Sequence, residues 1–307
     1  MDGLSVDEAD VDGDVAVATL HATPTLQGPD GILQGGFAAG ALELAARAAA
    51  EAMAGVEPGS SAIPAATMLE ARLHKPTPTG VDVTALVVAG EDSTWEVRTV
   101  LSEIDDHADF GEEEVGADVL VSGVVELAGH GPQPILDDLV ELALVDDPPR
   151  PAALELASGC FVCGVHHPDG LHLYPAWVDG SSVVQEWVPD DRVASDEGGF
   201  VDPAAVAAVL DCPTVWAARD HMAAHDFGGA LLGGFTVAWF SRVPLGETLR
   251  IAAMLESGEG RKMRAIAALV GPDGYVHAAA SAFQIGIETW PGADDGEPMP
   301  AFGVGPW

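Results

Sequence analysis

The chain carries one pattern twice, and that repetition limits its fold more than any other feature of its 307 residues. Residues 37–54 read FAAGALELAARAAAEAMA and residues 203–219 read PAAVAAVLDCPTVWAAR, two alanine-rich, aliphatic stretches of helical length. Each holds a carboxylate at the equivalent place, Glu43 and Asp211. The correspondence continues downstream at an almost constant offset: Pro78 and Gly80 answer to Pro244 and Gly246, and Val97 and Arg98 answer to Met263 and Arg264. Self-similarity of this kind is the mark of a duplicated structural unit.

Period-two patterning rich in valine, leucine and threonine predicts strands at 14–21, 68–75, 81–88, 95–104 and 117–127 in the first copy. In the second copy it predicts them at 171–177 and 182–188 and from Gly234, Glu247, Lys262 and Tyr275. Residues 25–36, with four glycines and a proline, form a loop feeding the first helix, and the acidic run 105–116 reads as a solvated hairpin loop. A short helical pattern at 135–144 precedes an Asp-Asp-Pro-Pro-Arg-Pro run ending at Pro151. The expected organisation is a first domain over 1–130, a linker over 131–155, a second domain over 156–290 and a tail over 291–307. Each domain is expected to be α+β, a long helix against the apolar face of an antiparallel sheet.

A formal net charge of -37 argues against nucleic acid or an anionic membrane as a partner, since both attract basic surfaces. The most apolar stretch contains Glu43, Arg47 and Glu51, whereas a membrane span needs about 20 apolar residues in a row. No basic segment followed by an apolar run opens the chain, and Cys160, Cys163 and Cys212 are too few for a disulfide framework. A cytoplasmic protein with reduced thiols is expected. Cys160-Phe161-Val162-Cys163 followed by His166 and His167 invites a zinc reading, but no second Cys-x-x-Cys exists. The thiols are therefore read as packing groups and no metal is expected. Cys212, next to Asp211 but turned about 100° away on a helix, is read the same way and not as a nucleophile.

An acid in a buried helix loses hydration that hydrogen bonds or a water-lined cleft must replace, and acids so perturbed cluster at catalytic sites. Gln34-Gly35-Gly36 stands immediately before the first helix, where unpaired backbone N–H groups favour negative charge, as in an oxyanion hole. Along a single helix Gly35 lies about 12 Å from Glu43, yet donor and base must both come within about 3 Å of a reacting atom. One copy alone cannot complete a site. Antiparallel packing of the two helices would bring Gln34, Gly35 and Gly36 to Asp211. The reciprocal pairing sets Glu43 against Asp202 and Pro203, and proline has no N–H to donate. One working site per chain is expected, with Glu43 a decayed or structural counterpart.

This order and spacing resembles the hotdog-fold acyl-CoA thioesterases in a tandem, double-hotdog arrangement covering nearly the whole chain. Single-hotdog members carry a His-Gly-Gly whose histidine lies nine residues before the helix acid, and here Gln34-Gly35-Gly36 stands nine before Glu43, glutamine replacing histidine. Type II double-hotdog members carry a working aspartate in the second helix, a glutamine in the last strand and a serine or threonine in an earlier strand. Asp211 matches the first, and Gln284 in Ala282-Phe283-Gln284-Ile285-Gly286 the second. Trp239-Phe240 echoes a Trp-Phe element of the family, while Gly233 or Gly234 stands where it has the hydroxyl residue.

The resemblance implies hydrolysis of a fatty or related acyl-CoA with no cofactor beyond the coenzyme A of the substrate. The thioester carbonyl would lie against the Gly35 and Gly36 N–H groups while Asp211 activates a water oriented by Gln284; direct attack by Asp211 to give an anhydride is the variant. Arg242, Arg250, Arg261, Lys262 and Arg264, five of twelve basic residues, are the candidates for binding coenzyme A phosphates. The acyl tail would enter between the halves, and a homo-oligomer is expected. Two other classes stand beside this one: a non-catalytic acyl-CoA-binding or scaffold protein, and a hotdog enoyl-CoA hydratase, for which no Asp-His pair following a helix is evident.

Overall fold

Both alanine-rich stretches are helices, and they lie against each other. A computed structural model describes residues 3–101, 119–152, 159–195 and 198–288. In the first copy β1 (Leu4–Val6), β2 (Asp10–Asp12) and β3 (Val15–Ala22) lead to α1 (Gly35–Ala54), then β4 (Met68–Leu73), β5 (Asp82–Ala89), β6 (Thr94–Val100) and β7 (Val119–Glu126). After a short α2 (Asp137–Ala143) the second copy runs β8 (Ala176–Asp179), β9 (Ser182–Trp187), α3 (Pro203–Ala217), α4 (Arg219–Ala224), β10 (Gly229–Trp239), β11 (Leu249–Glu259), β12 (Lys262–Val270) and β13 (Val276–Ile287).

The strands form one 13-stranded antiparallel sheet in which β3-β5-β6-β7-β4 is followed by β10-β13-β12-β11-β9. The second run is the first reversed, each strand replaced by its copy, so a pseudo-twofold axis passes between β4 and β10, where Ala71 faces Phe235. The duplication persists in the loops. Isolated bridges join Gln27 to Leu33 and Ile32 to Pro78 in one copy, and Ala194 to Val201 and Phe200 to Pro244 in the other. Gly80 and Gly246 turn the chain at φ 74° and 75°, a left-handed backbone that favours glycine.

Sequence pattern dictates these elements directly. β13 alternates buried and half-buried residues along its whole length, as period-two geometry requires. The helices instead are apolar nearly all round and buried nearly all round, because the sheet wraps one side and the partner helix covers the other. Small residues let them touch: a Cβ on Gly36 would sit 2.5 Å from Ala208 Cα, and one on Gly40 2.6 Å from Ala204 Cα. Rising numbers on α1 meet falling numbers on α3, so the helices are antiparallel.

Three local expectations needed correction. Most of 171–177 is not a strand: Leu171 and Leu173 donate their N–H groups to the Phe161 and Val162 carbonyls, and pairing in the sheet begins only at Ala176. The second long helix stops at Ala217 and a short α4 follows it. β1 and β2 extend the first copy beyond its expected first strand. The 105–116 run and the tail from 291 lie outside the described residues. Among the described residues no helix is long and apolar enough to cross a membrane.

Candidate active site

Gln34 and Asp202 hold the same position in the two copies, the cap of a long helix, with nearly the same backbone (φ -57°, ψ 137° against φ -62°, ψ 134°). Asp202 caps its own helix by accepting from the Ala204 N–H at 2.8 Å. Gln34 uses only its Oε1 this way, accepting from the Phe37 N–H at 3.0 Å. Its Nε2 is thereby turned into the other half, donating to Asp211 Oδ2 at 2.7 Å and to the Ala208 carbonyl at 3.3 Å.

Asp211 sits mid-helix in α3 and receives donors on both oxygens. The Gly36 N–H joins Gln34 on Oδ2 at 3.0 Å, and Gln284 Nε2 reaches Oδ1 at 3.0 Å. Gln284 is itself placed by Thr214, whose Oγ1 accepts from Nε2 at 2.9 Å and donates to the Asp211 carbonyl at 2.6 Å. A carboxylate requires the amide nitrogen on its side, so Gln284 Oε1 is left buried with no hydrogen-bond partner among the described residues. Burial raises the Asp211 carboxyl to about 7; the bond from Gln284 pulls down, Cys160 pushes further up, and the Gly36 N–H pulls down.

A cavity of about 240 Å³ opens beside this acid, bounded by Gln34, Gly35, Asp211 and Gln284 and walled by apolar side chains such as Leu33, Leu73, Val215, Leu232 and Ile285. The expected Gly35–Gly36 donor pair divides its work. Gly36 is buried and its N–H is engaged by Asp211, while Gly35, half-buried on the cavity wall, presents an N–H with no acceptor among the described residues. A side chain at Gly35 would meet Asp211 Oδ2 and Leu232 Cβ, both at 2.9 Å, so glycine alone lets the helix start come this close.

Glu43 has no part in this arrangement. It is 2% exposed and ion-paired to Arg47, with Nη2 at 2.9 Å and Nε at 3.2 Å from its Oε1. Across the pseudo-twofold it faces Asp202, whose carboxyl rises to about 6 through burial and then through the Glu43 charge. Pro203, the first residue of α3, offers no N–H there. Glu43→Gln is therefore expected to leave turnover unchanged. It should lower stability by no more than about 2 kcal/mol, since the lost charged hydrogen bond is offset by relief of repulsion at Asp202; thermal denaturation beside a turnover assay checks both.

The five basic residues do not form one patch. Arg242 stacks on Phe200, 3.9 Å from the ring centroid, and Arg250 donates to the Ala143 and Val145 carbonyls at 2.9 and 2.7 Å, anchoring the end of α2. Arg264 lies over Phe283. β11 puts about 30 Å of strand between Arg250 and the hairpin turn that holds Arg261, so residues close in number lie at opposite ends of the strand. Of the five only Arg261 borders the cavity, braced by its Nε donating to the Gly286 carbonyl at 2.8 Å. Exposed Lys75 from the other half joins it there.

Sequence reasoning missed Lys75, Thr214 and the convergence of Cys212 on the Cys-x-x-Cys pair. Thr214 was findable: three residues after Asp211, it lies on the same helix face. Gly233 and Gly234 on β10 carry no hydroxyl, whereas Thr214 brings one to Gln284 from the helix. Thr236 pairs with Ser281 farther along the sheet.

No family model matches the chain, and no curated protein matches it either. Solved structures do. A candidate thioesterase from Novosphingobium aromaticivorans is 13% identical, with 91% of this chain and 98% of that one covered at a TM-score of 0.56. A conserved protein of unknown function with hot dog fold from Alicyclobacillus acidocaldarius is 14% identical, covering 91% and 95% at 0.54. GphF dehydratase 1 is 14% identical, covering 92% and 98% at 0.54. The fold is thus a double hotdog. Its neighbours include proteins described as thioesterases and others described as dehydratases.

Proposed function

We propose that the chain hydrolyses the thioester of a fatty or related acyl-CoA, with Asp211 as base. The observation that carries this reading is a buried carboxylate at the wall of an apolar cavity, facing the start of the other copy's helix and held there by Gln34, Gly36 and Gln284. The acyl chain occupies the apolar space, and the thioester carbonyl lies against the Gly35 N–H, where the α1 dipole favours developing negative charge. Asp211 Oδ1 takes a proton from water, whose other hydrogen is accepted by Gln284 Oε1. The water oxygen adds to the carbonyl carbon, collapse breaks the carbon–sulfur bond, and the thiolate leaves to be protonated. Gln34 and Gly36 do not touch the substrate in this scheme; they fix Oδ2 so that Oδ1 is the reactive oxygen.

The test is release of free thiol from a panel of acyl-CoAs of graded chain length. Hydrolysis of at least one is expected; none hydrolysed, with acyl-CoA still bound, would leave a binding protein. Dehydratases share the fold, so an enoyl-CoA arm is included: loss of enoyl absorbance without thiol release would replace hydrolysis by hydration. Arg261 and Lys75 are assigned to the phosphates of coenzyme A. The double variant Arg261→Ala, Lys75→Ala is expected to raise KM for acyl-CoA about tenfold with kcat unchanged, the size of one lost charged contact. The KM for a short thioester lacking phosphates should not move.

A further inference from the structure

Three thiols from two parts of the chain converge beside this cavity. Cys160 and Cys163 lie on a tight turn and Cys212 on α3, yet all three sulfurs fall within 4.8 Å of one another. Cys212 Sγ is 3.9 Å from that of Cys160 and 3.7 Å from that of Cys163. A tetrahedral ion with bonds of about 2.3 Å to thiolate sulfur holds its sulfurs about 3.8 Å apart, so these two edges already have the length that coordination requires. All three residues are buried, and all three border the cavity.

The surroundings suit thiolates. Gln34 Nε2 lies 3.5 Å from Cys212 Sγ. The Trp216 indole N–H, buried and without an acceptor of ordinary hydrogen-bond geometry among the described residues, lies against the Cys163 sulfur. N–H groups directed at sulfur are the usual support of a metal-bound thiolate. The turn is also fixed before any ligand arrives: the Gly164 N–H closes it on the Cys160 carbonyl at 2.7 Å, and the Phe161 N–H ties it to the Gln27 carbonyl at 2.8 Å. The neighbouring His167 does not join the cluster; its Nδ1 accepts from the Asp169 N–H at 3.2 Å.

We propose that Cys160, Cys163 and Cys212 form a three-thiolate site for one thiophilic divalent ion, of which Zn²⁺ fits best, with the fourth coordination position open to the cavity. Three protein ligands and one open position distinguish such a site from a closed structural one with four. The open position takes water or a soft sulfur ligand such as a thiol. Soft thiolates select zinc over the hard cations that carboxylates bind. This proposal departs from the expectation of no metal because the third ligand lies 49 residues from Cys163, beyond the reach of any local motif. The proposal does not depend on thioester hydrolysis, because it is tested without substrate.

The full chain, purified reduced and treated with chelator, is titrated anaerobically with Co²⁺. One equivalent is expected to give thiolate-to-cobalt charge-transfer absorption with the visible bands of tetrahedral cobalt, and Zn²⁺ should abolish both. Zn²⁺ should also protect all three cysteines from alkylation, read by mass spectrometry. Cys163→Ser and, separately, Cys212→Ala should lose the charge-transfer band while circular dichroism still reports a folded chain. If either variant unfolds, the wild-type titration and alkylation protection decide alone. Three alkylatable thiols with no charge-transfer band overturn the proposal. So does a disulfide within the cluster whose reduction restores no cobalt binding, or cobalt binding that persists unchanged in both variants.

Discussion

Asp211→Asn is expected to lower kcat for thioester hydrolysis about a thousandfold, within the range ascribed to loss of a positioned general base, while leaving the fold intact. The side chains are isosteric, and the pocket can accept the amide. The asparagine oxygen takes the place of Oδ2, still receiving Gln34 and Gly36. Its NH₂ then replaces Oδ1 opposite Gln284, whose amide turns over so that the presently unpartnered Oε1 accepts from it. Thr214 follows by donating to that oxygen instead of to the Asp211 carbonyl. A neutral network thus replaces a charged one, the Gln284 NH₂ taking the unpartnered place that Oε1 held, and thermal denaturation should shift by only a few degrees. Acyl-CoA affinity should be retained, because nothing that holds the acyl chain or phosphates has changed. A variant that keeps a tenth or more of wild-type turnover would remove Asp211 from the chemistry. One that loses acyl-CoA binding as well would reassign it to ground-state recognition. If turnover falls as expected, oxygen labelling of wild-type enzyme in a single turnover separates the two ways the carboxylate can act. Transfer of solvent oxygen to the acid alone marks general-base catalysis, whereas label entering Asp211 marks an anhydride.

The site was legible where one residue type at one spacing has few physical uses. Glu43 and Asp211, acids in helices otherwise apolar all round, had to be compensated, and Gly35 and Gly36 ahead of a helix offered the donors. Helix rise makes a single-copy site impossible, so the spacing alone calls for the crossing of two copies. The lack of a second donor at the other crossing was equally readable, because Pro203 has no N–H. What sequence left dark depends on tertiary distance. Leu171 to Pro175 carries strand-like residues, but the N–H groups of Leu171 and Leu173 are taken by the Cys-x-x-Cys turn, and no local pattern encodes that competition. The basic cluster failed for a related reason: residues close in number but at opposite ends of a long strand share no surface. Cys212 reaches its partners only because α3 is laid along that turn.

Divergence of the two copies follows from their helix caps. A glutamine cap is long enough to satisfy its own helix with one atom and reach across the crossing with the other, whereas the shorter Asp202 is consumed by its own N-terminus. The copy starting Gln-Gly-Gly therefore serves the acid of its partner. The copy starting Asp-Pro cannot, and its facing acid is neutralised locally by Arg47.

Gly36→Ala is expected to cost about 3 kcal/mol of stability and roughly a hundredfold in kcat. The added Cβ would lie 2.5 Å from both the Ala207 carbonyl oxygen and Ala208 Cα, where carbon contacts settle near 3.5–4.0 Å. Both obstacles are backbone, so no rotamer change relieves them, and the helices must part by about 1 Å. That displacement acts directly on the 3.0 Å bond from the Gly36 N–H to Asp211 and, through it, on the placing of Oδ1. A misplacement of about 1 Å is enough for a hundredfold loss in a site built on position. Stability loss alone would mimic this result, and the pseudo-twofold supplies the control. Gly40 meets Ala204 at 2.6 Å in the contact related to this one by the pseudo-twofold, on the Glu43 side of the crossing. Gly40→Ala should destabilise to a similar degree yet leave most of the turnover, measured well below either melting temperature. Equal kinetic losses in the two variants would mean that the crossing as a whole, and not the meeting of Gly36 with Asp211, sets the rate. An unaffected Gly36→Ala enzyme would show that the helix start contributes nothing to catalysis.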